Sequence, residues 1–229
     1  MTPPETQARK PRTLIAGNWK MNKLPSEART WAEGLLERLK PGPGAEVVIC
    51  APFTHLVPLA GVLAGSPVGL GAQDLSAHDA GAYTGEVSGA MLRDAGARWV
   101  IVGHSERRQY HGEDDALVAA KLDRALESGL SPILCVGERE AERERGDAEA
   151  VVLGQLERAL AGCERLGGVV VAYEPVWAIG TGKTATADDA QAMSGAIRAH
   201  LRGRYGAQAE GARILYGGSM KPANAREPV

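Results

Sequence analysis

Thiols are scarce and scattered. Cys50, Cys135 and Cys163 are the only cysteines in 229 residues. An odd number at such wide spacing makes neither a C-x-x-C metal site nor a disulfide framework. Reduced cysteines in a cytoplasmic protein are the expectation. No apolar run approaches the roughly 18 residues of a membrane span, so no membrane partner is expected. The opening MTPPETQARKPR lacks the apolar core of a secretory signal. Rich in proline and charge, residues 1–12 read as a flexible tail before a single domain over 13–229. A basic surplus is also missing: net charge is -2, which argues against nucleic acid as the main partner. The remainder, 44% hydrophobic and 24% charged, is that of a soluble globular protein, and single barrels of this length are ordinary.

Seven short apolar runs recur along the chain: TLIAGN, AEVVICA, VGLGAQ, RWVIVG, SPILCVG, GVVVAYE and ARILYGG. They are nearly continuous and rich in β-branched residues, as strands buried on both faces of a parallel sheet are. Helical periods lie between them. Ala28, Trp31, Ala32, Leu35, Leu36 and Leu39 recur at i, i+3, i+4 behind Pro25 and Ser26, with Pro41 beyond the end. Val152, Leu156, Ala159, Leu160 and Cys163 repeat the pattern. So do Ala190, Met193, Ile197 and Leu201, behind a capping-box signature at Thr186 and Asp189. The fold class is therefore α/β, either a closed barrel or a doubly wound sheet. Residues with chemical potential stand at the ends of many runs: Asn18 and Lys20, His104, Glu138, Glu174, Ser219. A barrel distributes its functional residues in this way, whereas a doubly wound sheet gathers them at one crevice.

The segment EPVWAIGTGKT, residues 174–184, ends like a nucleotide-binding P-loop. That motif needs a glycine five positions before Gly182, where Trp177 stands, and a helix opening at the Lys-Thr pair. The cap signal lies later, at Thr186, so the P-loop reading fails twice. A βα loop of this length is instead expected to act as a lid, with Trp177 and Ile179 having something to cover.

GNWKMN (17–22), IVGHSERR (101–108), LCVGE (134–138), AYEPVWAIGTGKTAT (172–186) and YGGSMKPAN (216–224) together resemble, in order and spacing, the signature segments of the triosephosphate isomerase family. The resemblance spans nearly all of the chain after residue 12. It implies a (β/α)8 TIM barrel that interconverts dihydroxyacetone phosphate and D-glyceraldehyde 3-phosphate. This family is itself a standard example of pKa tuning and of lid closure, so the roles that follow are what the resemblance implies.

Isomerisation moves a proton from the carbon beside a carbonyl to its neighbour. A desolvated carboxylate can take and return it, and Glu174 matches that base. His104, with SERRQY opening a helix after it, matches a neutral imidazole donating to the enediolate oxygen. Lys20 matches the fixed positive charge for phosphate and oxyanion. Asn18, two residues earlier, would face the same side if the segment is extended. Glu106 is expected to pair with and orient Lys20, and Ser105 to support the same network. Backbone N–H groups at Gly180 and Ser219 match the phosphate grip. No cofactor and no metal are expected. The other histidines, His55, His78, His111 and His200, read as surface residues. Segment 71–88 matches the family's dimer loop, with Thr84 at its tip, and implies a homodimer. About ten residues follow Ser219, too few for strand, loop and helix, so the barrel is expected to stop before its eighth strand and helix.

Overall fold

The computed structural model describes residues 11–39, 44–179 and 185–218. In chain order the elements are β1 (Leu14–Asn18), α1 (Pro25–Arg38), β2 (Glu46–Ala51), α2 (Leu56–Leu63), β3 (Val68–Ala72), α3 (Gly89–Asp94), β4 (Trp99–Val102), α4 (Ser105–His111), α5 (Asp115–Glu127), β5 (Ser131–Val136), α6 (Glu140–Glu144), α7 (Ala148–Ala159), β6 (Val170–Tyr173), α8 (Ala187–Tyr205), α9 (Gln208–Gly211) and β7 (Arg213–Tyr216). Each apolar run of the sequence yields one strand. All seven are parallel and pair in sequence order.

The packing requires this sheet to curl upon itself. One buried cluster joins Leu14 of β1, Val48 and Cys50 of β2, Trp99 and Ile101 of β4, Ile133 and Cys135 of β5, and Val170 and Ala172 of β6, with Leu215 of β7 against it. An open flat sheet could not bring all of these together. Arg213 of β7 donates to Glu46 Oε2 of β2 at 2.5 Å, and its guanidinium stands 5.1 Å from the Trp99 ring. A second, larger core lies between the outer face of the sheet and the helices. The architecture is therefore that of a βα-barrel and not a doubly wound sheet.

Helix termini follow local chemistry. Thr186 caps α8: its Oγ1 accepts from the Asp189 N–H, and Asp189 Oδ2 accepts from the Thr186 N–H, both at 3.1 Å. Such a box is worth about 1 kcal/mol. Two expectations change. Trp31 of the α1 stripe is 41% exposed and meets Trp19 edge-on at 5.1 Å, while Ala28 and Ala32 carry the buried contact. Arg12, read as tail, is tied to the body by its Nε donating to Gly44 O at 2.7 Å. Among the described residues no helix is long and apolar enough to cross a membrane.

Candidate active site

Three strand ends of the barrel converge on one charged cluster. β6 delivers Glu174, which is only 6% exposed. β4 delivers His104, also 6% exposed, as the N-cap residue of α4. β1 ends at Asn18, and Lys20 follows two residues later.

The imidazole is fixed at both nitrogens. His104 Nδ1 accepts from the Glu106 N–H at 3.2 Å, in the first turn of α4. An accepting Nδ1 carries no proton, so the ring is neutral and its N–H is at Nε2. Nε2 lies 3.1 Å from Glu174 Oε1. The other carboxylate oxygen, Oε2, accepts from the Ser105 N–H at 3.1 Å. Ser105 thus reaches the site through its backbone N–H to Glu174.

Lys20 Nζ pairs with Glu106 Oε1 at 2.6 Å, so Glu106 orients the ammonium from the first turn of α4. The segment is not extended as expected. Lys20 has φ 51°, in the left-handed region where non-glycine residues are uncommon. Asn18 holds that bend, because its Oδ1 accepts from the Lys20 N–H at 2.9 Å. Gln73, which the sequence did not flag, donates from Nε2 to both Lys20 O and Cys50 O at 3.0 Å.

Glu174 sits between glycines on the adjacent strands. A Cβ on Gly137, beyond β5, would lie 1.8 Å from Glu174 O, and a Cβ on Gly217, beyond β7, would lie 2.9 Å from Glu174 Cγ. Only glycine permits both approaches. Cys135 lies close by. Burial, and then the Glu174 charge, push its thiol well up, so it stays protonated and unreactive. Burial also pushes Cys50 up to about 12. All three cysteines are free and buried.

Glu138 is fully buried. Its Oε1 accepts from Tyr173 OH at 3.1 Å and from Trp177 Nε1 at 2.7 Å, while Oε2 is buried with no hydrogen-bond partner among the described residues. Burial, and then the Glu138 charge, raise the Tyr173 hydroxyl, which stays a donor. Trp177 is thus held from beneath by Glu138, and Arg143 lies 4.4 Å from its ring. Arg143 also donates to Asp189 Oδ1 at 2.8 Å. Residues 180–184, with Gly180 and the GTGKT stretch, lie outside the described residues, as does Ser219. α8 begins at Ala187, behind the Thr186 cap, in keeping with rejection of the P-loop.

A buried ion network braces α4. Lys121 Nζ contacts Asp74 Oδ1 and Glu113 Oε1, both at 2.6 Å. Arg107 contacts the same two carboxylates at 2.9 and 2.6 Å. Burial pushes the Glu113 carboxyl up, but hydrogen bonds from Lys121 and Arg107 outweigh it and leave it below its ordinary value. His55, read as a surface residue, is buried: Nδ1 meets Thr54 Oγ1 and Nε2 meets Lys23 O, each at 2.9 Å. Segment 71–88 is pinned at its base by Ser76 N–H to Val87 O at 2.8 Å. Its tip, including Thr84, is exposed.

A buried carboxylate facing a neutral imidazole N–H, with an ammonium held beside them, is an arrangement suited to proton transfer next to a carbonyl. The family model described as triosephosphate isomerase matches residues 13–229. The chain is 57% identical over 217 residues to the triosephosphate isomerase of Deinococcus radiodurans, covering 94% of this chain and 87% of that one. It is 58% identical over 217 residues to that of Thermus thermophilus, covering 93% and 86%. It is 54% identical over 217 residues to that of Chloroflexus aurantiacus, covering 93% and 87%. With matches of this extent added to the barrel and its strand-end cluster, the chain belongs to the triosephosphate isomerase family.

Proposed function

We infer that this chain interconverts dihydroxyacetone phosphate and D-glyceraldehyde 3-phosphate, a step of glycolysis and gluconeogenesis, without a cofactor. The reading rests above all on Glu174 Oε1 lying 3.1 Å from His104 Nε2 in a buried setting. Glu174 takes the proton from the carbon beside the carbonyl. The electron pair moves onto the carbonyl oxygen and gives an enediolate. His104 donates its Nε2–H toward that oxygen, and Lys20 supplies the compensating charge. The remaining hydroxyl proton passes to that oxygen by way of His104, and Glu174 returns its own proton to the neighbouring carbon, so that the former hydroxyl oxygen becomes the carbonyl. Both its oxygens are engaged by Ser105 and His104 here, so substrate binding exchanges those contacts for the reacting carbon.

A coupled isomerase assay on the parent, Glu174→Asp and Lys20→Ala tests the assignment. Shortening the base by one methylene is expected to leave a folded protein with most turnover lost. Removing the ammonium is expected to raise KM and lower kcat together, since one charge serves substrate and transition state. An Asp variant as active as the parent, or an Ala variant with unchanged KM, refutes the corresponding role.

The proposed assembly is a homodimer through loop 71–88 with Thr84 at its tip. In support, the segments that follow β1 to β4 expose large apolar side chains: Met21, Phe53, Tyr83 and, within α4, Tyr110. One face of the barrel thus carries an apolar surface suited to a second copy. A monomeric mass by light scattering at assay concentration refutes this. Three unbridged thiols are in keeping with a cytoplasmic location.

A further inference from the structure

The β4–β5 ladder runs out at the point where the base must be held. Ser131 N–H donates to Arg98 O at 2.8 Å, and the register continues to Val102 opposite Leu134. Because parallel ladders repeat every two residues, the bond after Val102 would run from Gly137 N–H to His104 O. That carbonyl is already taken. His104 O accepts from the Arg107 and Arg108 N–H groups at 2.9 and 3.1 Å, as the first turn of α4 requires. On the other side, Glu174 N–H donates to Val136 O at 2.8 Å and Val176 N–H to Glu138 O at 3.1 Å. The β6 pairing therefore uses the residues flanking Gly137. Its own N–H and C=O point away from β6 and have no strand to meet.

Gln155, on α7 of the outer helix layer, fills that place. Its Oε1 accepts from Gly137 N–H at 2.8 Å, and its Nε2 donates to Gly137 O at 3.1 Å. A primary amide is the smallest side-chain group that offers one donor and one acceptor side by side, as a neighbouring strand would. Gly137 is in turn the wall against which the Glu174 backbone is set. Gly137 and Gln155 both border a cavity of about 670 Å³, which Glu174 and Trp177 also line. The clamp thus borders open space, and its two hydrogen bonds carry the positioning.

We propose that Gln155 is a positioning residue for isomerisation: its amide replaces the strand lost when β4 turns into α4, and fixes Gly137 so that Glu174 stands in register with His104 and the substrate carbon. This rests on Glu174 as the base. Gln155 touches no reacting atom and acts only through the β5 end.

The test measures kcat and KM against pH for Gln155→Met and Gln155→Glu, with Glu174→Asp alongside and thermal melting of each. Gln155→Met keeps the length of the side chain and loses both hydrogen bonds. It is expected to lose on the order of tenfold in kcat with KM unchanged, because sub-ångström misplacement acts on chemistry and not on phosphate binding. Gln155→Glu keeps the acceptor, but its carboxylate cannot donate to Gly137 O. Its activity relative to the parent is expected to climb as pH falls, when the protonated acid regains a donor. A merely structural role would lower the melting temperature and leave kcat and the pH profile of the folded enzyme at parental values, and that result overturns the proposal. If Gln155→Met does not fold, the pH profile of Gln155→Glu decides. A crippled Glu174→Asp beside parental Gln155 variants removes this proposal alone. A fully active Glu174→Asp removes the base assignment and this proposal with it.

Discussion

Replacing Gly137 with alanine would act on the base without touching any charged group. The new methyl would begin 1.8 Å from Glu174 O and 2.8 Å from Glu174 C, both backbone atoms that no rotamer change can move. An ordinary contact begins near 3.4 Å, so strands β5 and β6 must part at this point by well over an ångström. Retreat is blocked on the far side, where Gly217 already approaches Glu174 Cγ and Tyr173 O. The displacement therefore falls on the carboxylate itself. Misplacement of about 1 Å costs on the order of 10²-fold in rate, so kcat is expected to fall about that far with KM little changed. Overpacking adds a stability loss of about 1–3 kcal/mol. Gly61→Ala is the control: Gly61 lies in α2 with nothing within 4 Å of its added Cβ, and alanine there is expected to stabilise slightly. The assays are coupled turnover and urea unfolding. A folded Gly137→Ala variant with kcat within a few-fold of the parent would refute the idea that this close approach sets the base.

Lys121→Met removes the ammonium shared by Asp74 and Glu113 and leaves Arg107 as the remaining cation on both carboxylates among the described residues. A loss of about 3–5 kcal/mol is expected by urea unfolding, and a loss below 1 kcal/mol would show that the network contributes little. Asp189 is held down to about 2 by the Thr186 hydroxyl and then by Arg143. Its stabilisation of the start of α8 is full above the ordinary aspartate range near pH 4 and is lost as pH falls toward 2. The drop in melting temperature across that window is expected to be smaller in Asp189→Asn, and equal drops in both proteins would refute the assignment.

The barrel was legible because burial on both faces leaves a simple mark. Strands β1 to β7 read as continuous apolar runs, since helices cover one side and the curled interior the other. Helices α1, α7 and α8 are long enough to repeat their period. α3, α4 and α6 span six, seven and five residues, too short for any period to stand out. Lys121 shows a signal that was present but unread. It falls at a buried position of α5 with Val118, Leu122 and Ala125, where a lysine demands a buried acid. His55 was misplaced because its partner carbonyl belongs to Lys23, 32 residues away.

The cluster itself divides by the kind of atom that carries each task. Groups proposed to act through side-chain chemistry, Lys20, His104 and Glu174, stand in segments whose residue types announce them. Groups that hold them do so through backbone atoms, and a backbone N–H has no letter in the sequence. Ser105 reaches Glu174 by its N–H, Glu106 sets the His104 tautomer by its N–H, and Gly137 presents its peptide to Gln155. Lys20 makes the same point by its conformation. Spacing from Asn18 alone suggests an extended strand with both side chains on one side, yet φ at Lys20 is 51°. The bend exists because Asn18 Oδ1 and Gln73 Nε2 capture the Lys20 peptide at both ends. Both are amides, as Gln155 is. In this barrel, neutral amide side chains supply the backbone bonds that strands give up when they turn toward the substrate, and an amide near a strand end is therefore the residue type most worth testing for a positioning role.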